Sequence, residues 1–331
     1  MSALIVKRLA AMIAILVGLS AVIFYLQSIS PLDPVHAQLG GQASAEAVAQ
    51  RTHELGLDRP VTAQFWSYLV DLVHGDLGSS YRTRRSVTED LGAYAPATLE
   101  LAFYGIMTAV VLAALLAFGS TLKWRGAVVF RTVLFVGAST PTFLLGILGI
   151  VIFYQQLGWL PASGRTGLTD APTGPTGLMT VDGLLNGRLD VTADGLRHLV
   201  LPVVAIALGP AVAIGRVLTS SLAADQASDY ARTARSKGLS EWQVLVKHSL
   251  RNAMGAALSM TGLQIGLMFA GVLVVEQVFG WPGLGQYIAQ SIPVGDFPAI
   301  AGVTLILGVV YIVVNTLVDI AQAKADPRIA A

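Results

Sequence analysis

Glu276 and Gln277 end the charge-free run 252–275, and Phe279, Trp281, Pro282, Gly283 and Gly285 follow at once. A carboxylate beside so long an apolar run is costly to hold near hydrocarbon, so its position is read first as functional. Pro282 and the glycines Gly280, Gly283 and Gly285 break helix, and irregular backbone at membrane depth survives only against protein or a wet cavity. Glu276, Gln277 and Phe279 are therefore expected to line a path through the membrane, with Gln264 and Met268 further back in the same run. The carboxylate could meet an ammonium group in transit. The plainer alternative is an interfacial acid held by backbone donors, with Trp281 in the aromatic belt.

No other constellation suggests catalysis. His53-Glu54 opens a His-Glu-x-x-His zinc motif, but position 57 is leucine. None of the five lysines is followed by serine or threonine, so there is no Gly-x4-Gly-Lys-Ser/Thr loop to cradle phosphates. There is no Gly-x-Ser-x-Gly elbow. The absence of cysteine excludes disulfides, thiolate metal sites and thiol nucleophiles. No catalytic residue, metal site or bound cofactor is expected on this chain.

The elements that must carry these residues are membrane helices. Of the 331 residues 54% are hydrophobic and only 12% charged, against about 25% charged in soluble domains. Charge-free runs at 9–32, 101–122, 132–164, 199–215, 252–275 and 297–318 reach or nearly reach the roughly 20 residues that cross a bilayer. Six helical spans follow, with both termini on one side. The loop 123–131 holds Lys123, Arg125 and Arg131 and no acid, while 276–296 holds Glu276 and Asp296 and no base. The positive-inside rule then places both termini, the 123–131 loop and the 216–251 segment in the cytoplasm. The first run exceeds the roughly 7–15 residues of a signal-peptide core, so an uncleaved helix is expected there rather than cleavage near Val35-His36-Ala37. Arg216 is expected to snorkel to the inner interface. Gly262-x3-Gly266 allows close helix packing, within the subunit or against a partner.

Between the fourth and fifth runs lies one long polar, basic stretch, 229–253. Gly238 can take the positive φ that closes a helix. Ser240 with Gln243 forms a capping box for the next helix, and Leu239 with Val244 can staple it. Two short helices meeting at a fixed angle would make a rigid knob for a soluble partner. Outside, residues 31–96 are expected to open with a Pro31/Pro34 turn. A helix capped by Ser44 and ended at Gly56 follows, then a second from Thr62 to Gly75. Segment 159–197, rich in Gly, Pro and Thr, reads as an irregular surface loop without chemistry.

These stretches carry a resemblance. DYARTARSKGLSEWQ resembles the EAA coupling loop of ABC importer permeases. ELGLDRP (54–60), GDLGSSYRT (75–83), PATLELA (96–102), LGWLPASG (157–164), LRHLVLP (196–202), EQVFGWPGLG (276–285) and VNTLVDIAQAKADPRI (314–329) resemble, in order, the first permease subunit of dipeptide/oligopeptide/nickel importers. Where that family usually places a proline after RNAL, this chain reads RNAMGAALSM, which suggests a straighter start to the fifth helix.

The resemblance implies an all-α polytopic fold of type I ABC importer permease kind in a bacterial cytoplasmic membrane, with an EAA coupling helix inside and a folded extracytoplasmic loop after helix 1. The expected division is 1–30 (cytoplasmic N-terminus and first span), 31–96 (outer loop with short helices) and 97–331. Within the last, spans fall near 97–122, 132–157, 198–220, 254–276 and 297–320, with the coupling loop at 225–253. Implied partners are a second homologous permease, two P-loop ATPases holding ATP and Mg, an extracytoplasmic solute-binding protein, membrane lipid and a peptide substrate; no nucleic acid is implied. Nickel, glutathione or haem are alternative cargoes, and a stand-alone secondary transporter is the competing class. Tyr230, Arg232, Ala234, Gly238, Leu239, Ser240 and Glu241 would then meet the ATPase, while Trp281, Pro282, Gly283 and Gly285 shape the backbone.

Overall fold

The computed structural model describes residues 2–30, 35, 43–54, 56–171 and 174–325. Among them it is all-helical apart from one isolated antiparallel bridge, Ser79 to Ser86. The Pro31/Pro34 turn and His36-Ala37 lie outside the described residues. In chain order the helices are α1 (Ser2–Ile29), α2 (Ala45–Glu54), α3 (Val61–Val73), α4 (Val87–Thr121), α5 (Ala127–Ala138) and α6 (Thr142–Gly149). They continue with α7 (Met179–Leu185), α8 (Leu189–Gln226), α9 (Asp229–Ser236), α10 (Glu241–Val244), α11 (Leu250–Val278), α12 (Leu284–Ser291) and α13 (Phe297–Ala325). Five helical stretches of the described chain are long and apolar enough to cross a membrane, six if the bent α5–α6 pair is one crossing.

A bend interrupts the span expected near 132–157. Ala127–Ala138 and Thr142–Gln156 meet at 111°. Pro141 has no amide hydrogen and forces Thr140 away from the helical region, and its own backbone is extended, with φ −55° and ψ 140°. The Ser139 and Thr140 hydroxyls donate to the carbonyls of Phe135 and Val136, at 2.8 and 3.0 Å, the second in place of the amide bond that Thr140 gives to Gly137 instead. Two other helices run past their charge-free runs. At about 1.5 Å per residue, the 35 residues of α4 and the 38 of α8 exceed the roughly 30 Å hydrocarbon core.

The chain divides into two compact units, one of residues 1–96 with 282–312 and one of 97–281 with 313–331. In the first, Phe24 of α1 meets Phe65 and Tyr68 of α3 with ring centroids 5.3 and 6.2 Å apart. The helices of 44–75 form much as their punctuation predicts. Ser44 accepts from the Ala47 amide at 3.2 Å, Gly56 has φ +63° and Gly75 φ +82°. The second begins at Val61 behind Pro60 rather than at Thr62.

In the second unit, α8 and α11 pack along each other and α4 lies against both, through a cluster of Ala117, Leu218, Leu222, Leu245, Ala253 and Ala257. Small residues permit the approach. A Cβ on Gly215 would fall 3.2 Å from the Cα and 3.3 Å from the carbonyl oxygen of Ala113. Gly262 packs on Asn315 and Val318 of α13, the within-subunit alternative for that glycine. Arg216 lays its guanidinium over the Phe135 ring, 4.3 Å from the centroid. Because the Ala113 backbone cannot rotate away, Gly215→Val should destabilise the detergent-solubilised chain by about 1–3 kcal/mol. Thermal unfolding would show this as a lowered midpoint, and an unchanged midpoint would refute the close approach.

Candidate functional site

Two regions hold the residues singled out by sequence. The first is the turn at Gly238. The helix α9 ends with Gly238 at φ +85°, its amide donating to the Arg235 carbonyl at 2.9 Å and the Leu239 amide to the Ala234 carbonyl at 3.3 Å. The next helix starts with a complete capping box. The Ser240 hydroxyl accepts from the Gln243 amide at 3.3 Å, and the Gln243 side chain accepts from the Ser240 amide at 2.9 Å. Leu239 packs on the cluster of Ala231, Ala234 and Val244, so the staple forms.

Two expectations change here. Ala234 is buried inside this cluster and does not present a surface for a partner. The second helix of the knob is not a separate short element. One turn, α10, runs through π-helical Leu245–Ser249 straight into α11, because no proline interrupts 241–254. Among the exposed side chains are Tyr230, Trp242 and Arg232, the last beside Asp229 at 3.5 Å. Tyr230 accepts a hydrogen bond from Asn252 at 3.0 Å.

Sequence reasoning missed the brace across the turn. Arg235 reaches Glu241 through Nε at 2.9 Å and Nη2 at 3.3 Å, and its Nη1 donates to the Gln226 carbonyl at 3.0 Å. One planar guanidinium thus ties the end of α8, α9 and α10 together. Opposite charges six residues apart, straddling a glycine, were the available signal.

The second region gathers around Trp281. Its ring is 1% exposed, and Nε1 donates to the Ala97 carbonyl at 2.9 Å, so it is a core residue and not an interfacial belt residue. Gly280, at φ +55°, ends α11 and lets the Trp281 amide return to the Glu276 carbonyl at 2.8 Å. Glu276 is 0% exposed and accepts from the Thr98 hydroxyl at 2.6 Å. Phe279 and Met268 are buried too, Gln264 is half-buried and Gln277 exposed. Burial within this subunit corrects the expectation that Glu276, Phe279 and Met268 line a path. A carboxylate removed from water is held by donors, and the chain supplies them. Beyond Trp281, Gly283 caps α12 in extended backbone, φ −116°, and Gly285 is buried.

Segment 159–197 is ordered by charge, contrary to its reading as an irregular loop. Arg165 pairs with buried Glu100 of α4, Nη2 to Oε2 at 2.5 Å, and also donates to the Gly177 carbonyl at 3.0 Å. The other Glu100 oxygen accepts from the amide and hydroxyl of Thr180 at 2.8 and 2.7 Å. Tyr104 donates to that hydroxyl at 3.2 Å, and the guanidinium lies 5.8 Å from the Trp281 ring centroid. Asp182, also buried, takes the amide and hydroxyl of Thr176 at 3.2 and 2.7 Å. No group of metal-ligating side chains occurs among the described residues.

Comparison with known proteins settles the class. The family model for the binding-protein-dependent transport system inner membrane component matches residues 105–331, and its N-terminal companion matches 1–102. The chain belongs to this family. Among its relatives are the dipeptide transport system permease protein DppB of Alkalihalophilus pseudofirmus, 35% identical over 99% of both chains, and the di/tripeptide transport system permease protein DppB of Pseudomonas aeruginosa, 35% identical over 99% of both. The glutathione transport system permease protein GsiC of Salmonella typhi is 34% identical over 98% of both.

As a permease of this family the chain is a multi-pass inner-membrane component of an ABC transporter, and ATP hydrolysis lies in separate ATPase subunits. Solute capture falls to a binding protein. In this permease the Glu100–Arg165 pair is largely desolvated, so removing one partner strands the other. Glu100→Ala should cost about 3–5 kcal/mol, and Glu100→Leu combined with Arg165→Met should recover much of it. Denaturant melts of the purified permease decide this, since equal losses in both variants would show that the pair does not pin the segment.

Proposed function

We propose that this permease moves di- and oligopeptides into the cytoplasm by alternating access. The observation that carries the reading is the full-length similarity, at 35% identity, to permeases named for dipeptides and di/tripeptides. It pairs with a second, homologous permease, receives cargo from the binding protein, and is driven by two ATPases that hold ATP and Mg. The glutathione permeases at 34% identity favour a second reading, in which the cargo is glutathione, itself a short peptide.

In this reading the Gly238 knob is the coupling element on the cytoplasmic side, with both termini on that side and residues 31–96 outside. Tyr230, Arg232 and Glu241 offer the polar surface. Gly238, Leu239 and Ser240 fix the angle, and Ala234 acts from within by allowing α9 to lie close to Val244. The brace of Arg235 and the unbroken passage from α10 to α11 support it, because a load on the turn is carried directly into a membrane helix. Gln277 and Gln264 are the path-facing members of the fifth run. Glu276, Met268 and Phe279 hold the wall behind them. ATP and the loaded binding protein shift the permease between states only by binding them with different affinity.

Uptake of labelled dialanine by cells that depend on this system tests the cargo. Excess glutathione that abolishes uptake, with dialanine itself untransported, would replace peptide by glutathione. Gly238→Val places a β-branched residue at positive φ, so transport should be lost while the protein inserts at normal levels; normal uptake would remove the coupling role. Because the chain lacks cysteine, single replacements report sidedness cleanly. Thr62→Cys should react with an impermeant maleimide in intact spheroplasts and Ser236→Cys only after lysis. The reverse pattern would invert the orientation.

A further inference from the structure

A cavity of about 430 Å³ opens within the unit formed by residues 1–96 and 282–312, where α1, α2, α3 and the start of α13 approach one another. Small-molecule sites occupy about 300–1,000 Å³. The lining carries three carboxylates, Glu54, Asp71 and Asp76, against one guanidinium, Arg59. Glu54 is engaged by Gln50 and Arg51 at 3.0 and 2.9 Å, and Asp76 by the Gly78 amide at 2.8 Å. The Asp71 carboxylate has no hydrogen bond or ion pair among the described residues. The wall is aromatic, with Phe24 stacked on Tyr68.

We propose that this cavity binds a primary ammonium group carried on an apolar body. An ammonium has three donors and no acceptor. Asp71 supplies the charge, while the ring faces of Phe24 and Tyr68 attract a cation. A neutral ligand of the same shape forfeits the charge, and an anion meets a net negative lining. The amino terminus of a short peptide and the head group of phosphatidylethanolamine both carry this group. The inference does not rest on the cargo reading, since the cavity is built from residues outside the Gly238 and Trp281 regions.

The probe is phenethylamine, titrated calorimetrically into the full-length permease purified with whatever subunits it retains. Its neutral analogue 2-phenylethanol is the control. Phenethylamine should bind saturably and 2-phenylethanol should not. Asp71→Asn should weaken phenethylamine about tenfold, while Glu46→Gln, outside the cavity, leaves it unchanged. Displacement by dialanine but not by N-acetyl-dialanine identifies a peptide amino terminus as the natural occupant. Weaker binding in phosphatidylethanolamine than in phosphatidylcholine nanodiscs identifies the lipid head group. Equal binding of amine and alcohol, wild-type affinity in Asp71→Asn, or displacement by neither competitor overturns the proposal.

Discussion

A carboxylate taken out of water must be met by donors, and that requirement organises the polar ends of this helical bundle. Asp90, Glu276 and Asp296 are 0% exposed, and Asp182 and Glu100 nearly so. Asp296 accepts from the Ala299 amide at 3.3 Å at the start of α13, and also takes the Ser80 hydroxyl at 2.5 Å and the Arg82 amide at 3.2 Å. Asp90 accepts from Thr83 at 2.5 Å and from Arg85 Nε at 2.9 Å. Glu100 and Asp182 do the same for 165–180. The connections at 79–85 and 165–180 are thereby attached to charges on helices, and a long loop rich in glycine and proline needs no apolar core of its own.

The Gly238 turn is built on the opposite terms. Its brace, Arg235 to Glu241, keeps more than half of the Glu241 side chain in water. An exposed pair of this kind contributes about 0–1 kcal/mol and is screened by salt. The angle is fixed mainly by local backbone chemistry, the positive φ of Gly238 and the Ser240–Gln243 box, with three small or apolar side chains beneath. Such a turn is stiff in itself, and it continues without a break into α11.

Much of this was legible in the sequence, for reasons that are local. Caps at Ser44 and Ser240 and terminators at Gly56, Gly75 and Gly238 are decided within four or five residues, and the structure shows each of them. After Arg251, where no proline intervenes, the chain continues as helix from π-helical 245–249 into α11. The bend at Pro141 was hidden because it falls inside a charge-free run, where composition is uniform and only geometry changes. Charges that end a run do not end a helix, so α4 and α8 extend well beyond their apolar cores. The pairing of Glu100 with Arg165 joins residues 65 positions apart, beyond any periodicity.

Glu276 shows where inference from hydropathy stops. A carboxylate at the edge of an apolar run has two solutions, a wet path or an internal donor, and the run looks the same for both. What separates them is which helix face turns inward, and that depends on Thr98 lying 178 residues earlier. The threonine answers the charge, so the acid becomes part of the wall while its neighbour Gln277 remains exposed. The same logic explains why Trp281 is enclosed. Its indole donor finds the Ala97 carbonyl one residue before Thr98, so adjacent residues of α4 satisfy both the acid that precedes the Gly280 turn and the indole that follows it. Removing one partner of either pair would strand a buried polar group beside irregular backbone.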